Sequence, residues 1–332
     1  DVPEEEQAFN GLLEPRHGKI RRIANGLIAP HKSSRAKPFV EHLCQQLLDE
    51  LSALETGSEV DVMTRYVDHV PASTVCWLLG WPIEDAIQLY RWTVEVCERA
   101  LDMRPGSGKT QRDIHPAFYS YIEEHLARRT ATPATEWPDD GISHFLRSEV
   151  DGKSLSPRFV CAQLFFLLGA GAETTRDMIG GLLHSLACDP DLYQRVRADR
   201  SLVPNAIEEA LRIFSPTQFM VRSCVAPIEI EGQRFEPGDQ VFIGLASANR
   251  DEAHFEDAER FDIDRANARE HLAFGAGPHQ CPGAILARME ATVAVNAFLD
   301  RFDVATPTAG RRFEPLATPM FYGPRVLPMR LG

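Results

Sequence analysis

The sequence predicts a mainly α-helical protein with small β-sheets, and three observations carry that prediction. Helical periodicity runs almost without a break over residues 34–129. One very long helix is bounded by Ser156-Pro157 at its start and Asp189-Pro190 at its end. Strand-like segments enter only beyond Pro216. Residues 1–332 are read as one domain.

Taken in order, residues 1–12 are acidic and read as loop. A basic helix is expected after Pro15, with His17 and Arg21 four apart on one face. On spacing alone that face is solvated surface. Helices are predicted over 36–55, 61–79, 84–102 and 112–129. Leu43, Leu47, Leu48 and Leu51 form an apolar stripe of the kind that faces a core, and Pro71 is expected to kink or restart its helix. The loop 103–110 ends Gly-Ser-Gly-Lys-Thr and has the flavour of a phosphate loop. Position 103, where that motif needs its first glycine, is Met103, and a helix rather than a buried strand precedes it, so a mobile lid is the better reading. Residues 130–141 are loop.

Ser156 as N-cap and Pro157 at the first helical position open the long helix, which should run to about Cys188. At 1.5 Å per residue it spans roughly 48 Å. Residues 159–168 are apolar nearly all round, so it is buried. A helix follows over 204–214, then strands over 225–235 and 240–245 around Pro237-Gly238-Asp239, then a helix over 282–302 with Leu286, Met289, Val293 and Phe298 on or near one face.

A net charge of −13 argues against nucleic acid as a partner, because phosphate binding needs a basic face. Seven scattered cysteines without CxxC pairs read as reduced thiols in a cytoplasmic protein. The longest apolar run, 159–172, contains Gln163 and is too short to cross a bilayer. No signal peptide opens the chain, and Asp1-Val2-Pro3 looks like a start within a larger protein.

Two stretches carry chemistry. Residues 274–283 read Phe-Gly-Ala-Gly-Pro-His-Gln-Cys-Pro-Gly just before an apolar helix. A cysteine in such a turn has its thiolate stabilised by the helix dipole and free backbone N–H groups, which suits a nucleophile, a redox thiol or a metal ligand. Residues 169–175 read Gly-Ala-Gly-Ala-Glu-Thr-Thr in the middle of the long helix. Close helix packing explains the glycines but not an acid in an apolar setting.

Both stretches resemble the cytochrome P-450 family: the first its haem-ligand loop, Phe-Gly-x-Gly-x-His-x-Cys-x-Gly, the second its oxygen-binding groove, Ala/Gly-Gly-x-Asp/Glu-Thr. Matches at 17–21, 209–212, 222 and 237–261 follow the family's order, and the wording of 237–251 is typical of its soluble bacterial members. The resemblance implies the P-450 fold, with the long helix over a haem b and the cysteine loop beneath. It implies Cys281 as the metal ligand, with Phe274, Gly275, His279 and Gly283 shaping its loop. His17, Arg21 and Arg222 would meet the haem propionates, and Ala170 would lie against the haem. Glu173 and Thr174 would be the acid–alcohol pair that delivers protons during oxygen activation, beside a weakened helical ladder that admits water. Thr217, Phe219, Met220, Val221, Phe321 and Ala170 would line the substrate pocket. Glu209, Arg212 and Arg260 would form a structural network holding the cysteine loop.

The implied activity is a haem-thiolate monooxygenase that uses dioxygen and two electrons to oxidise a small apolar organic molecule. No flavin or nucleotide motif follows Cys281, so electrons are expected from a separate ferredoxin or flavodoxin with its reductase. Lys19, Arg22, Arg269 and Arg288 form the expected docking patch. No membrane or nucleic-acid partner is implied. The rivals are a peroxide-driven peroxygenase, a catalytically silent truncated haem-binding homologue, and a nucleotide-binding protein acting through 106–110. The family's N-terminal part, several tens of residues before the His-x-x-x-Arg helix, is absent from the sequence.

Overall fold

The computed structural model describes residues 3–54, 57–99, 110–308 and 312–332. The expected lid at 103–110 lies outside the described residues apart from Thr110. Helices α1 (Arg16–Leu27), α2 (Pro30–Ser52), α3 (His69–Leu79), α4 (Ala86–Glu98), α5 (Gln111–Ile114), α6 (Pro116–Thr130) and α7 (Gly141–Arg147) lead to α8 (Pro157–Cys188). Then come α9 (Pro190–Ala198), α10 (Val203–Phe214), the short α11 (Leu245–Ala248) and α12 (Ala284–Arg301).

The central helix α8 has the predicted bounds. The Ser156 hydroxyl accepts from the Phe159 N–H at 3.2 Å, and Pro157 needs no donor of its own. Asp189 closes it and caps α9 by accepting from the Leu192 N–H. Its N-terminal half packs in a core with α3, α4 and α6, including Leu79, Leu89, Phe118 and Phe165. Its C-terminal half packs in a second core with α2, α10 and α12, including Leu48, Tyr66, Leu182 and Phe298. One helix therefore ties the two cores together. Burying each such side chain contributes about 1.5–3 kcal/mol.

The predicted helix over 61–79 is divided. Glu59–Asp61 is strand β1, Met63–Val67 is a π-helical turn, and α3 starts at His69 with Pro71 in its first turn, where a missing N–H is harmless. The predicted strand over 225–235 is a hairpin, β5 (Ile228–Ile230) and β6 (Gln233–Phe235), after the short β2 (Glu149–Val150) and β3 (Lys153–Ser154) and the unforeseen β4 (Phe219–Ser223). Glu231 and Gly232 turn the hairpin with φ of 50° and 74°. Strand β7 (Gln240–Gly244) pairs antiparallel with β4 in the register Phe219↔Gly244 and Arg222↔Val241. Strands β8 (Ala305–Pro307) and β9 (Pro328–Leu331) join β1 in the order β1-β9-β8. Among the described residues no helix is long and apolar enough to cross a membrane.

Candidate active site

The cysteine loop is held by its own backbone. Gly275 and Gly277 adopt φ of 66° and 68°, a region that side chains with a Cβ rarely enter. The fold-back lets the Cys281 N–H donate to the Phe274 carbonyl at 2.7 Å. The backbone N–H groups of Gly283 and Ala284 point at the sulfur, at the start of α12. Burial among protein atoms raises the thiol pKa, opposed by these donors and by the charges of Arg21 and Arg288. The residue is nevertheless exposed, whereas the six other cysteines are buried or half-buried.

Side chains on neighbouring elements brace the loop from behind. Glu208 on α10 is buried and accepts from Arg288 Nε at 2.7 Å, Arg288 Nη2 at 2.8 Å and His271 Nε2 at 3.1 Å. Burial opposes its ionisation, but those hydrogen bonds hold its pKa down at about 2. Arg288 in turn lies 4.6 Å over the Phe274 ring. The Asn249 side chain accepts from the Leu272 N–H at 2.6 Å.

The network expected from Glu209, Arg212 and Arg260 needs one correction. Arg212 makes a two-pronged pair with Glu209, at 2.7 and 2.8 Å, both side chains being fully buried. The third member is Arg265, whose Nε donates to Glu209 Oε1 at 3.1 Å. Arg260 contributes its carbonyl, which accepts from Arg212 and Arg265, while its side chain is exposed. The turn that brings the Arg265 N–H onto the Asp262 carbonyl swings Arg265 inward, and the turn from Asp257 leaves Arg260 outside.

His17, Arg21, Arg222 and His279 come together from α1, β4 and the cysteine loop. The rings of His17 and His279 stack with centroids 4.1 Å apart. Arg21 reaches the Gln280 carbonyl. Burial lowers the His279 pKa, and the charges of His17, Arg222 and Arg21 lower it further. His17 Nδ1 donates to Glu14 at 2.7 Å, while its Nε2 is buried and has no partner among the described residues. A buried orphan of this kind costs about 1–3 kcal/mol. A convergent set of cations with an unsatisfied imidazole nitrogen calls for an anion.

The central helix presents one open face. Phe166, Ala170 and Thr174, spaced by four, are half-buried or exposed in a helix otherwise buried on nearly all sides. Ring contacts connect this face to the cysteine loop: Phe166 to Phe9 at 5.3 Å, Phe9 to His17 at 6.5 Å, then His17 to His279. Helix α8 runs unbroken through this stretch, and Thr174 Oγ1 donates to the Ala170 carbonyl at 2.9 Å, a side-chain bond that competes with the backbone ladder. Gly171 answers to packing, because a Cβ there would meet Val75 at 2.8 Å. Glu173 is buried and turned from Thr174 toward α4, where Cys97 Sγ donates to its Oε2 at 3.1 Å.

Of the expected pocket residues, Thr217 and Phe321 pair through an isolated β-bridge, and the half-buried Phe219 ring lies 5.4 Å from that of Phe242, tilted by 52°, across the β4–β7 ribbon. Met220 and Val221 are half-buried on the same strand. Sequence reasoning missed Cys97, Glu208, Asn249 and Arg265. The only signal for Arg265 was an arginine two residues after apolar Ile263, which is too common to act on.

The cytochrome P450 family profile matches residues 94–325. The chain belongs to the cytochrome P450 family. It is 34% identical over 311 residues to putative cytochrome P450 126 of Mycobacterium tuberculosis, covering 91% of this chain and 72% of that protein. It is 33% identical over 307 residues to the 20-oxo-5-O-mycaminosyltylactone 23-monooxygenase of Streptomyces fradiae, covering 92% and 70%. The crystal structure of CYP109E1 from Bacillus megaterium in complex with corticosterone superposes with a TM-score of 0.84 at 28% identity, over 98% of this chain and 85% of that one.

Cytochrome P450s are haem b monooxygenases, and the residues present suit that group. Haem b needs a protein ligand for its iron and cationic partners for its carboxylates. Cys281, with two backbone donors behind it, would supply the first, and Arg21 and Arg222 with His17, on which His279 stacks, would supply the second. The protein is thus a haem-thiolate monooxygenase, an oxidoreductase whose reaction takes dioxygen, an organic substrate and electrons from a redox partner.

Proposed function

We propose that this cytochrome P450, acting as a single domain in the cytoplasm, hydroxylates a small apolar molecule with electrons from a separate ferredoxin or flavodoxin. The observation that carries the reading is the exposed Cys281, singled out from six buried or half-buried cysteines and backed by the Gly283 and Ala284 N–H groups. Those donors would spread the negative charge of the sulfur and set how strongly it donates. His17, Arg21 and Arg222 would hold the carboxylates of the cofactor, and His279 would pack beside them. Haem, when bound, supplies the activation of dioxygen.

The chain's own residues handle protons and substrate. Burial, and then the charge of Asp177, raise the Glu173 carboxyl pKa to about 8, which makes it an acid that holds a proton at neutral pH. Thr174 would supply the hydroxyl on the open face of α8, and Glu173, which rests toward α4, would deliver its proton there by rotating its side chain. Thr217, Phe219, Met220, Val221 and Phe321, with Ala170, would wall an apolar pocket. The compounds named for the relatives, 20-oxo-5-O-mycaminosyltylactone as the molecule one of them oxidises and corticosterone as the molecule another binds, are both organic small molecules. The carrier would dock on the cysteine side through exposed Arg22 and Arg269. Lys19 and Arg288 would play a smaller part, since they already engage Asp151 and Glu208.

The test is turnover with a library of apolar compounds in the presence of a ferredoxin, its reductase and dioxygen. Product that forms only with the electron chain supports the reading. Product that forms equally well from peroxide alone, without reductant, sinks the electron-carrier part of it.

A further inference from the structure

Glu173 is offset from the open face of Thr174 by about 100° of helix rotation, so it leaves α8 toward α4. There its carboxyl lies among Tyr90, Cys97 and Glu98 of α4, Arg176 and Asp177 of its own helix, and, one step further, Asp68 before α3. Arg176 is taken up by Asp68 at 2.8 Å, Asp177 at 2.8 Å and the Arg325 carbonyl at 3.1 Å. The contact made directly to Glu173 is the thiol of Cys97, 3.1 Å from Oε2.

A thiol partner has a specific consequence. Burial and the neighbouring Glu173 push the Cys97 pKa far up, so the group is S–H and can only donate here. A lysine or arginine in its place would ionise the carboxyl and lock it in a salt bridge. A neutral, weak donor fixes one carboxyl oxygen without stripping the proton. With Oε2 accepting from sulfur, the proton of the acid resides on Oε1.

We propose that Cys97 is a positioning residue for Glu173: its S–H holds Oε2 as the acceptor, leaves the transferable proton on Oε1, and ties the orientation of the acid to helix α4. The role of Glu173 as proton donor belongs to the proposed function, and the Cys97 inference rests on it only for its catalytic consequence. Cys44, Cys76 and Cys161 are small buried side chains that fill core space, whereas Cys97 faces a carboxyl.

The test uses haem-loaded protein and two readouts. Infrared spectroscopy at neutral pH follows the protonated carboxyl C=O stretch, assigned by its loss in Glu173→Gln. Oxygen consumption with substrate and reductant gives the peroxide released per product formed. Cys97→Ala should move the C=O stretch to higher frequency and raise the peroxide ratio about threefold, the size expected on losing one neutral hydrogen bond. Cys97→Ser, which keeps a donor, should restore both. An unmoved C=O stretch in Cys97→Ala overturns the proposal. A stretch that moves while the peroxide ratio stays constant supports the positioning of Glu173 by Cys97 and removes Glu173 from proton delivery.

Discussion

The imidazole of His17 is stacked on that of His279, ring centroids 4.1 Å apart, and its Nε2 is buried with no hydrogen-bond partner among the described residues. Two positively chargeable rings in contact, with Arg21 and Arg222 beside them, make an arrangement that an anion stabilises. The haem propionates are the proposed anion.

His17→Phe keeps the ring packing and removes the donor. Haem affinity should fall about tenfold, the effect of losing one hydrogen bond to a charged group. Arg21→Gln should act in the same direction. The measurement is the rate of haem transfer to an excess of haem-free globin. Unchanged transfer in both variants removes this cluster from cofactor binding.

Arg265→Ala should destabilise the fold by about 1–3 kcal/mol, because it removes the donors on Glu209 Oε1 and on the Glu256, Asp257 and Arg260 carbonyls while Arg212 still balances the Glu209 charge. Arg260→Ala should change stability by less than about 0.5 kcal/mol, since only its carbonyl is used. Denaturant titration of the two variants separates them. Equal losses would return Arg260 to the network.

The contrast between these arginines shows what the sequence could carry. The cysteine loop was legible because Gly275 and Gly277 answer a local backbone demand and Pro278 opens its turn, and α8 was legible because Ser156, Pro157, Asp189 and Pro190 are local start and stop signals. Which of two arginines five residues apart turns inward depends on the turns at 257–265, where local residue types do not decide. Strand β4 escaped notice because it lacks clean alternation and owes its form to β7, some twenty residues later. The bond from Cys97 to Glu173 spans 76 positions, beyond any local pattern.

Glu290 on α12 is buried, with Oε2 unpartnered among the described residues, and burial drives its pKa well above the ordinary carboxylate value. A carboxyl whose folded pKa is raised holds its proton in the native state after the unfolded chain has lost it. Stability therefore falls as pH rises above about 4.3, by about 1.4 kcal/mol per pH unit until the folded pKa is reached. Glu290→Gln should remove this slope and leave the protein more stable at pH 7. Unfolding midpoints between pH 5 and pH 8 check it, and parallel profiles for wild type and variant would contradict it.

Glu173→Gln should lower product formation about a hundredfold, within the range for loss of a general acid, while oxygen is still consumed and peroxide accumulates. Thr174→Ala should show the same pattern more weakly, because its hydroxyl is bonded to the Ala170 carbonyl. Product yield per oxygen consumed is the quantity to follow. A yield that stays at the wild-type level in Glu173→Gln rules out the acid.

Thiolate ligation by Cys281 underlies every other assignment, and the spectrum of the reduced protein with carbon monoxide reports on it without intermediaries. Wild-type protein with full haem should show the red-shifted Soret band that marks a thiolate opposite the carbon monoxide, and Cys281→Ser should lose it while still containing haem. A fully loaded wild type without that band, or a Cys281→Ser variant that keeps it, would contradict thiolate ligation.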